Sequence, residues 1–421
     1  MSTKILFRTA AFFAAALLSV ACIYPYKVDI QKGGDYPMVI EGDIHIGGIT
    51  TLKLSYVRPF NPDSNELPTV YARGYVEGED GSRVDGTYDT DYLSSSTAGG
   101  KSVLSFDTSK LRENQQYRLV FETLGQGGTV QNRYESEWLT PCPAPTIDGL
   151  SYSKQEDHFE LWIGLSMHCN GAQHFRWSFV ETWEYHSELK STYEYTPRKW
   201  KMNPNTWRYE LVGGGYYTYR FDAPRYYCWR TVESSQINLF STANQTEDRF
   251  EDLAFHTIPL NDNRLQCLYR ITVQLEALSE NAYNYWSNIQ QNSEGQGSIF
   301  APVPSEMASN VHCVSDPSIQ VMGYLNAAAQ VTAVMYYDNI KERFYKPDPP
   351  EPRDTEEVEA GDVETADELY DQRHMLPYDG EYKSPTAFEP THYLWTYARC
   401  IDCTLHGGSK DRPEDWPSGN F

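Results

Sequence analysis

The stretch His174-Phe175-Arg176-Trp177-Ser178-Phe179-Val180-Glu181-Thr182-Trp183-Glu184-Tyr185 alternates with a period of two. Phe175, Trp177, Phe179, Trp183 and Tyr185 fall on one side, with His174, Arg176, Ser178, Thr182 and Glu184 between them. Successive side chains of a strand point to opposite faces, so this segment predicts a long strand with one strongly apolar face. The same alternation recurs outward from it. Thr51–Val57 sets Leu52, Leu54 and Tyr56 against Lys53 and Ser55, Tyr117–Thr123 turns Tyr117, Leu119 and Phe121 inward, and Leu268–Leu278 alternates through Tyr269, Ile271, Val273 and Leu275. Met38–Ile46, Val103–Phe106, His158–Leu165, Tyr216–Phe221, Tyr226–Arg230, Ile237–Phe240, Ile319–Leu325, Val331–Tyr337 and Tyr393–Tyr397 are further candidates. Aromatic residues make up 14% of the chain, a composition that suits half-buried pleated surfaces. The expected class is therefore mainly β.

Residues 35–140 predict an immunoglobulin- or fibronectin-III-like sandwich. Leu111 precedes Tyr117 by a turn-like Arg-Glu-Asn-Gln-Gln stretch, as in a tyrosine corner, where the phenol bonds back to upstream backbone. Thr140-Pro141-Cys142-Pro143-Ala144-Pro145 is a stiff boundary. Residues 146–345 predict a larger β-rich domain with one notable helix at 279–292. There Ala282, Tyr285, Trp286 and Ile289 recur at helical spacing behind Ser279 as N-cap. Residues 346–382 turn to Pro, Glu and Asp and predict an exposed acidic loop. Residues 383–421 predict a final strand and a cysteine hook.

The N-terminus reads as an export signal over residues 1–21. Lys4 and Arg8 precede the apolar run Ala10–Val20, which is too short to span a bilayer, and Ala21 stands directly before Cys22. We expect Cys22 to be lipidated and residues 22–34 to serve as a tether, with acyl chains holding the protein to a membrane. Ser19 departs from the usual lipobox leucine three residues before the cysteine. The alternative is ordinary cleavage with Cys22 in a disulfide. The formal charge of −23 argues against nucleic acid and anionic lipid headgroups as partners, because like charge repels them.

Of eight cysteines, seven remain if Cys22 is lipidated, so at least one is left without an intramolecular partner. Cys400 and Cys403 are near enough to close a local disulfide, the expected pairing; reduced thiols and a metal site are the alternatives. Haem attachment would need histidine where Thr404 stands, and zinc would want a second ligand pair at matching spacing. We expect no metal and no cofactor. Glu79, Asp80, Asp85, Asp89 and Asp91 lack the spacing of a calcium loop and predict a solvated acidic segment. Pairings among Cys142, Cys169, Cys228, Cys267 and Cys313 stay open.

Several stretches carry a resemblance. They are Val39-Ile40-Glu41-Gly42-Asp43-Ile44, Tyr227-Cys228-Trp229-Arg230, Leu275-Glu276-Ala277-Leu278-Ser279-Glu280 and Ala282-Tyr283-Asn284-Tyr285-Trp286. Gly297-Ser298-Ile299-Phe300 with Pro302 and Pro304, then Val321-Met322-Gly323-Tyr324, continue the series. The ending Asp402-Cys403-Thr404-Leu405-His406-Gly407-Gly408-Ser409, with Arg412-Pro413 and Trp416, completes it. In this order they resemble a family of Bacteroidota outer-membrane lipoproteins catalogued as domain of unknown function 4249, over nearly the whole mature chain. The resemblance implies an accessory role beside a TonB-dependent transporter, in capturing or handing over a ligand, and brings no catalytic residues.

No nucleophile elbow, His-Glu-x-x-His or phosphate-cradling glycine loop occurs. We expect a non-enzymatic outer-membrane lipoprotein; a surface glycan hydrolase and a structural or adhesive lipoprotein are the alternatives. Ile23-Tyr24-Pro25-Tyr26-Lys27 does not decide between the periplasmic and the cell-surface face. The segment between Trp183 and Trp229 interleaves aromatic and basic residues, a composition that suits cross-strand packing, a protein interface, or contact with a small ligand or glycan. Trp200, Trp207, Arg208 and Tyr216 are the expected interaction residues. The competing expectation is that Trp200 and Trp207 cap the core of the second domain.

Overall fold

A computed structural model describes residues 37–57, 70–88, 102–294, 309–347, 354–384 and 386–417. The signal, Cys22 and the tether lie outside the described residues, as do Asp89 and Asp91.

Nine strands open the chain: β1 (Met38–Glu41), β2 (Ile44–His45), β3 (Ile49–Tyr56), β4 (Ala72–Gly78), β5 (Arg83–Asp85), β6 (Thr87–Tyr88), β7 (Ser102–Asp107), β8 (Tyr117–Leu124) and β9 (Val130–Ser136). One sheet runs β1-β3-β7-β6 and the other β9-β8-β4-β5. In immunoglobulin lettering these are A-B-E-D and G-F-C-C′. The period-two faces close on each other: Leu52, Leu54 and Phe106 of one sheet share a core with Leu119, Phe121 and Tyr134 of the other. The tyrosine corner is present. The Tyr117 hydroxyl donates to the Arg112 carbonyl and accepts from the Arg112 N–H, both at 2.9 Å.

The second unit begins β10 (Thr146–Gln155), β11 (Glu160–His168), β12 (His174–His186), then β13 (Tyr193–Thr196), β14 (Lys199–Asn203), β15 (Arg208–Val212) and β16 (Tyr216–Tyr219). It continues with β17 (Tyr227–Glu233), β18 (Asn238–Ser241), β19 (Arg249–Pro259), β20 (Leu268–Leu278) and helix α1 (Glu280–Glu294). Then come β21 (Val311–Cys313), β22 (Val321–Met322), β23 (Ala327–Ala328) and β24 (Gln330–Asp338). Sheet β10-β11-β19 faces sheet β17-β12-β20-β24, with β18 extending the β17 edge of β12. These are A-B-E against C′-C-F-G, so the larger β-rich domain repeats the plan of the first sandwich. Two insertions enlarge it. One, between C and C′, carries β13–β16. The other, between F and G, carries α1 and β21–β23. Ser279 caps α1 as expected, its Oγ accepting from Ala282 N at 3.2 Å.

The F–G insertion joins the two sandwiches. Its strand β21 pairs with β9, β22 runs parallel to β1, and β23 runs parallel to β2. At the same junction Arg176 bridges Asp43 of the first sandwich and Glu276 of the second. Asp43 Oδ1 also accepts from Asn326 N at 2.7 Å, and Trp286 of α1 lies 4.4 Å beneath the guanidinium.

Residues 346–382 correct the expectation of an exposed acidic loop. Within them β25 (Thr355–Glu359), α3 (Val363–Asp371) and β26 (Met375–Glu381) form, after the short helix α2 (Asn339–Glu342), and β27 (His392–Tyr397) completes the sheet β25-β27-β26. Val358, Ala366, Leu369, Met375 and Trp395 pack there on Tyr193 and Tyr195. Glu357, Glu359, Glu364 and Glu368 are exposed while the apolar partners come from far upstream, which is why composition alone suggested a loop.

The expected Cys400–Cys403 disulfide is corrected too. Cys403 pairs with Cys228 of β17 across 175 residues, and Cys400 is unbridged. Different backbone contacts hold the two apart: Cys403 N donates to Arg225 O at 3.0 Å, while Cys400 O accepts from Leu189 N at 2.9 Å. Cys142, Cys169, Cys267 and Cys313 are also buried and unbridged.

Candidate interaction surface

The C–C′ insertion is a two-storey hairpin, a base and a ribbon. In the base, β13 pairs with β16 and is covered by the C-terminal module. Tyr217 stacks on Tyr393 with ring centroids 3.5 Å apart, and Tyr195 meets Trp395 edge-on at 5.2 Å. Asp367 of α3 locks the junction with the ribbon, accepting from the Tyr195 hydroxyl at 2.7 Å and from Arg198 Nε at 2.6 Å. Burial acts to raise its pKa, but those hydrogen bonds outweigh it and hold the carboxyl below its ordinary range. On the return strand Gly213, Gly214 and Gly215 all adopt positive φ, and a Cβ on Gly214 would sit 2.1 Å from Pro197 O. Only glycine fits there.

Beyond this joint β14 and β15 form the ribbon and, among the described residues, pair only with each other. Every residue of the two strands except Asn203 is exposed. Trp200 stands opposite Leu211 and Met202 opposite Tyr209, and opposed residues share a face, so these four make one apolar face. The other face holds Lys199 with Val212, Lys201 with Glu210, and Asn203 with Arg208. Trp207 occupies the turn in the left-handed region, at φ 54°, with its N–H donating to Asn203 O at 2.9 Å. Trp207 is 79% exposed, Trp200 66% and Tyr209 63%. Neither tryptophan caps a core. An isolated two-stranded hairpin is marginally stable in water, so the rigid base is what keeps the ribbon formed.

The structure thus brings Trp200, Trp207 and Arg208 together on one ribbon and leaves Tyr216 on the base, exposed but outside the apolar face. Met202 and Leu211 were not singled out from the sequence, although the pairs Trp200-x-Met202 and Tyr209-x-Leu211 across Asn203-Pro204-Asn205-Thr206 are a hairpin pattern.

A second cluster lies inside the second sandwich. Glu181 Oε1 accepts from Tyr269 OH at 2.9 Å and Arg264 Nη1 at 2.8 Å, with His256 Nε2 3.0 Å away. Burial acts to raise the Glu181 pKa, yet His256 and Arg264 hold it below the ordinary value. Its oxygen is enclosed by protein partners, which suits a structural tie between facing sheets. Among the described residues no group of histidine, cysteine or acidic side chains could hold a metal ion, and no helix is long and apolar enough to cross a membrane.

Fold and surface together define a class: paired immunoglobulin-type sandwiches presenting a projecting apolar ribbon. A family model described as "Domain of unknown function (DUF4249)" matches residues 23–333, and the chain belongs to that family. The match ends within β24, so the C-terminal module and the motif Asp402–Ser409 lie beyond it. No functionally curated protein matches. Among solved structures the chain is similar to a DUF4785 family protein from Legionella pneumophila, at 9% identity and a TM-score of 0.19, over 56% of this chain. The match spans 51% of the length of that protein.

Proposed function

We propose that this is a non-enzymatic, lipid-anchored outer-membrane lipoprotein, acting as an accessory or ligand-capturing component of a TonB-dependent transporter. The observation that carries it is the β14–β15 ribbon, an apolar surface exposed on a stiff support and placed for contact. Single exposed hydrophobic residues need no explanation, but a contiguous aromatic and aliphatic face marks an interaction site. Cys22, one residue before the family match begins, supplies the attachment.

Affinity purification of the acylated protein from detergent-solubilised membranes tests the reading. A stoichiometric TonB-dependent transporter in the eluate is expected. A protein that purifies alone under mild detergent, or that turns over glycans through one carboxylate pair, would overturn it. Substituting Cys22→Ala should abolish acyl labelling and membrane retention.

A further inference from the structure

We propose that the β14–β15 ribbon is a second membrane contact, seated in the headgroup layer of the bilayer that holds the N-terminal anchor. Trp207 leads, and the Trp200, Met202, Tyr209 and Leu211 face turns toward the acyl boundary. The proposal rests on the lipid-anchored reading above and states what the ribbon touches.

Three observations favour a lipid surface over a protein groove. First, the side chains are those that partition to a membrane interface. Trp200, Trp207 and Tyr209 are amphipathic rings, and Lys199 and Lys201, on the opposite face, point away from the acyl boundary toward the headgroups. Second, the charge is local and of the right sign. The whole chain carries −23, yet the ribbon strands hold Lys199, Lys201 and Arg208 against the single acid Glu210, whose oxygens accept from Asn203 at 3.1 Å. This is the part of an acidic molecule able to approach phosphate headgroups. Third, a tether leaves the body free to orient: the described residues begin at Pro37, and fifteen residues from Cys22 could extend to about 50 Å at most.

The test uses the chain from residue 23, which keeps every described residue and lacks the lipidated cysteine. It is mixed with vesicles of phosphatidylethanolamine and a minor phosphatidylglycerol fraction, with brominated acyl chains that quench nearby tryptophan. We expect co-flotation and quenching. Both should be lost in Trp200→Ser/Trp207→Ser, with partitioning reduced about tenfold or more. Lys199→Gln/Lys201→Gln should weaken binding in proportion to phosphatidylglycerol and to low salt. The thermal midpoint checks that each variant remains folded. Absent quenching in the unaltered chain, equal quenching in the double-serine variant, or a ribbon photo-crosslink to protein without vesicle binding would each overturn the proposal. Acyl labelling of full-length protein is scored separately. Labelling without ribbon quenching sinks the ribbon contact and spares the anchor, whereas quenching without labelling does the reverse.

Discussion

The two sandwiches share a plan and carry the same pair within the first three residues of strand F, Tyr117-Arg118 in one and Tyr269-Arg270 in the other, yet they satisfy the buried phenol differently. Tyr117 bonds to backbone and leaves the first core neutral. Tyr269 donates to Glu181, so the second core carries a carboxylate held by Arg264 beside His256. A neutral hydrogen bond contributes about 1 kcal/mol and responds little to pH, whereas a buried ion is costly when any partner is lost. One topology therefore satisfies the strand-F phenol in two ways: through neutral backbone in the first sandwich and through a group whose charge state matters in the second.

The largest expected effect is on the cross-link that, among the described residues, ties the second sandwich and not the first. Replacing Cys228 and Cys403 with alanine opens a 175-residue separation and should cost roughly 5 kcal/mol, measured by denaturant unfolding. Next, Arg264→Ala strands Glu181 and should cost about 3–5 kcal/mol, while Tyr117→Phe in the first sandwich should cost only about 1–3 kcal/mol. Equal losses would break the comparison.

The pH dependence sharpens it. Hydrogen bonds and charge hold the Glu181 pKa below its ordinary 4.5 despite burial, so its stabilisation is present above that value and lost as pH falls through the folded pKa. Glu276 at the junction has the opposite sign. Burial raises its pKa despite Arg176, so the stability it contributes is full below 4.5 and is lost as pH rises through the folded pKa. Glu181→Gln should flatten the acid limb of stability against pH. Glu276→Gln should gain on the unaltered protein as pH rises, because glutamine cannot ionise. The smallest effect is on the ribbon: Trp207→Ala should move stability by no more than about 0.5 kcal/mol. A loss of several kcal/mol would mean that the residue packs in a core.

The first sandwich was legible because its strands follow one another closely and Leu111…Tyr117 marks the corner. The second was legible as β structure but not as a repeat, since forty residues of insertion separate its C and C′ strands and hide the regular spacing. The C-terminal module was misjudged because Ala366 and Leu369 become a core only against Tyr193 and Tyr195, and no local pattern reports so distant a partner. The cysteine pairing failed for the same reason: proximity in sequence favoured Cys400, while the fold delivers Cys403 to Cys228. At the candidate surface the aromatic–basic composition marked a segment that the fold leaves exposed as β14 and β15. The grouping of Met202 and Leu211 with Trp200 needed the register of β14 and β15.

The stitching of β21–β23 into the first sandwich has a consequence for biogenesis. Met38 and Val39 of β1 pair with Val321 and Met322, so the first domain to be synthesised waits for chain nearly 300 residues younger before its edges are covered. Contacts so distant in sequence form late, and bare strand edges recruit other strands while they wait. A premature stop between β20 and β21 should therefore leave a first sandwich that is correctly wound yet sticky, and the quality of the whole molecule is decided by its last third.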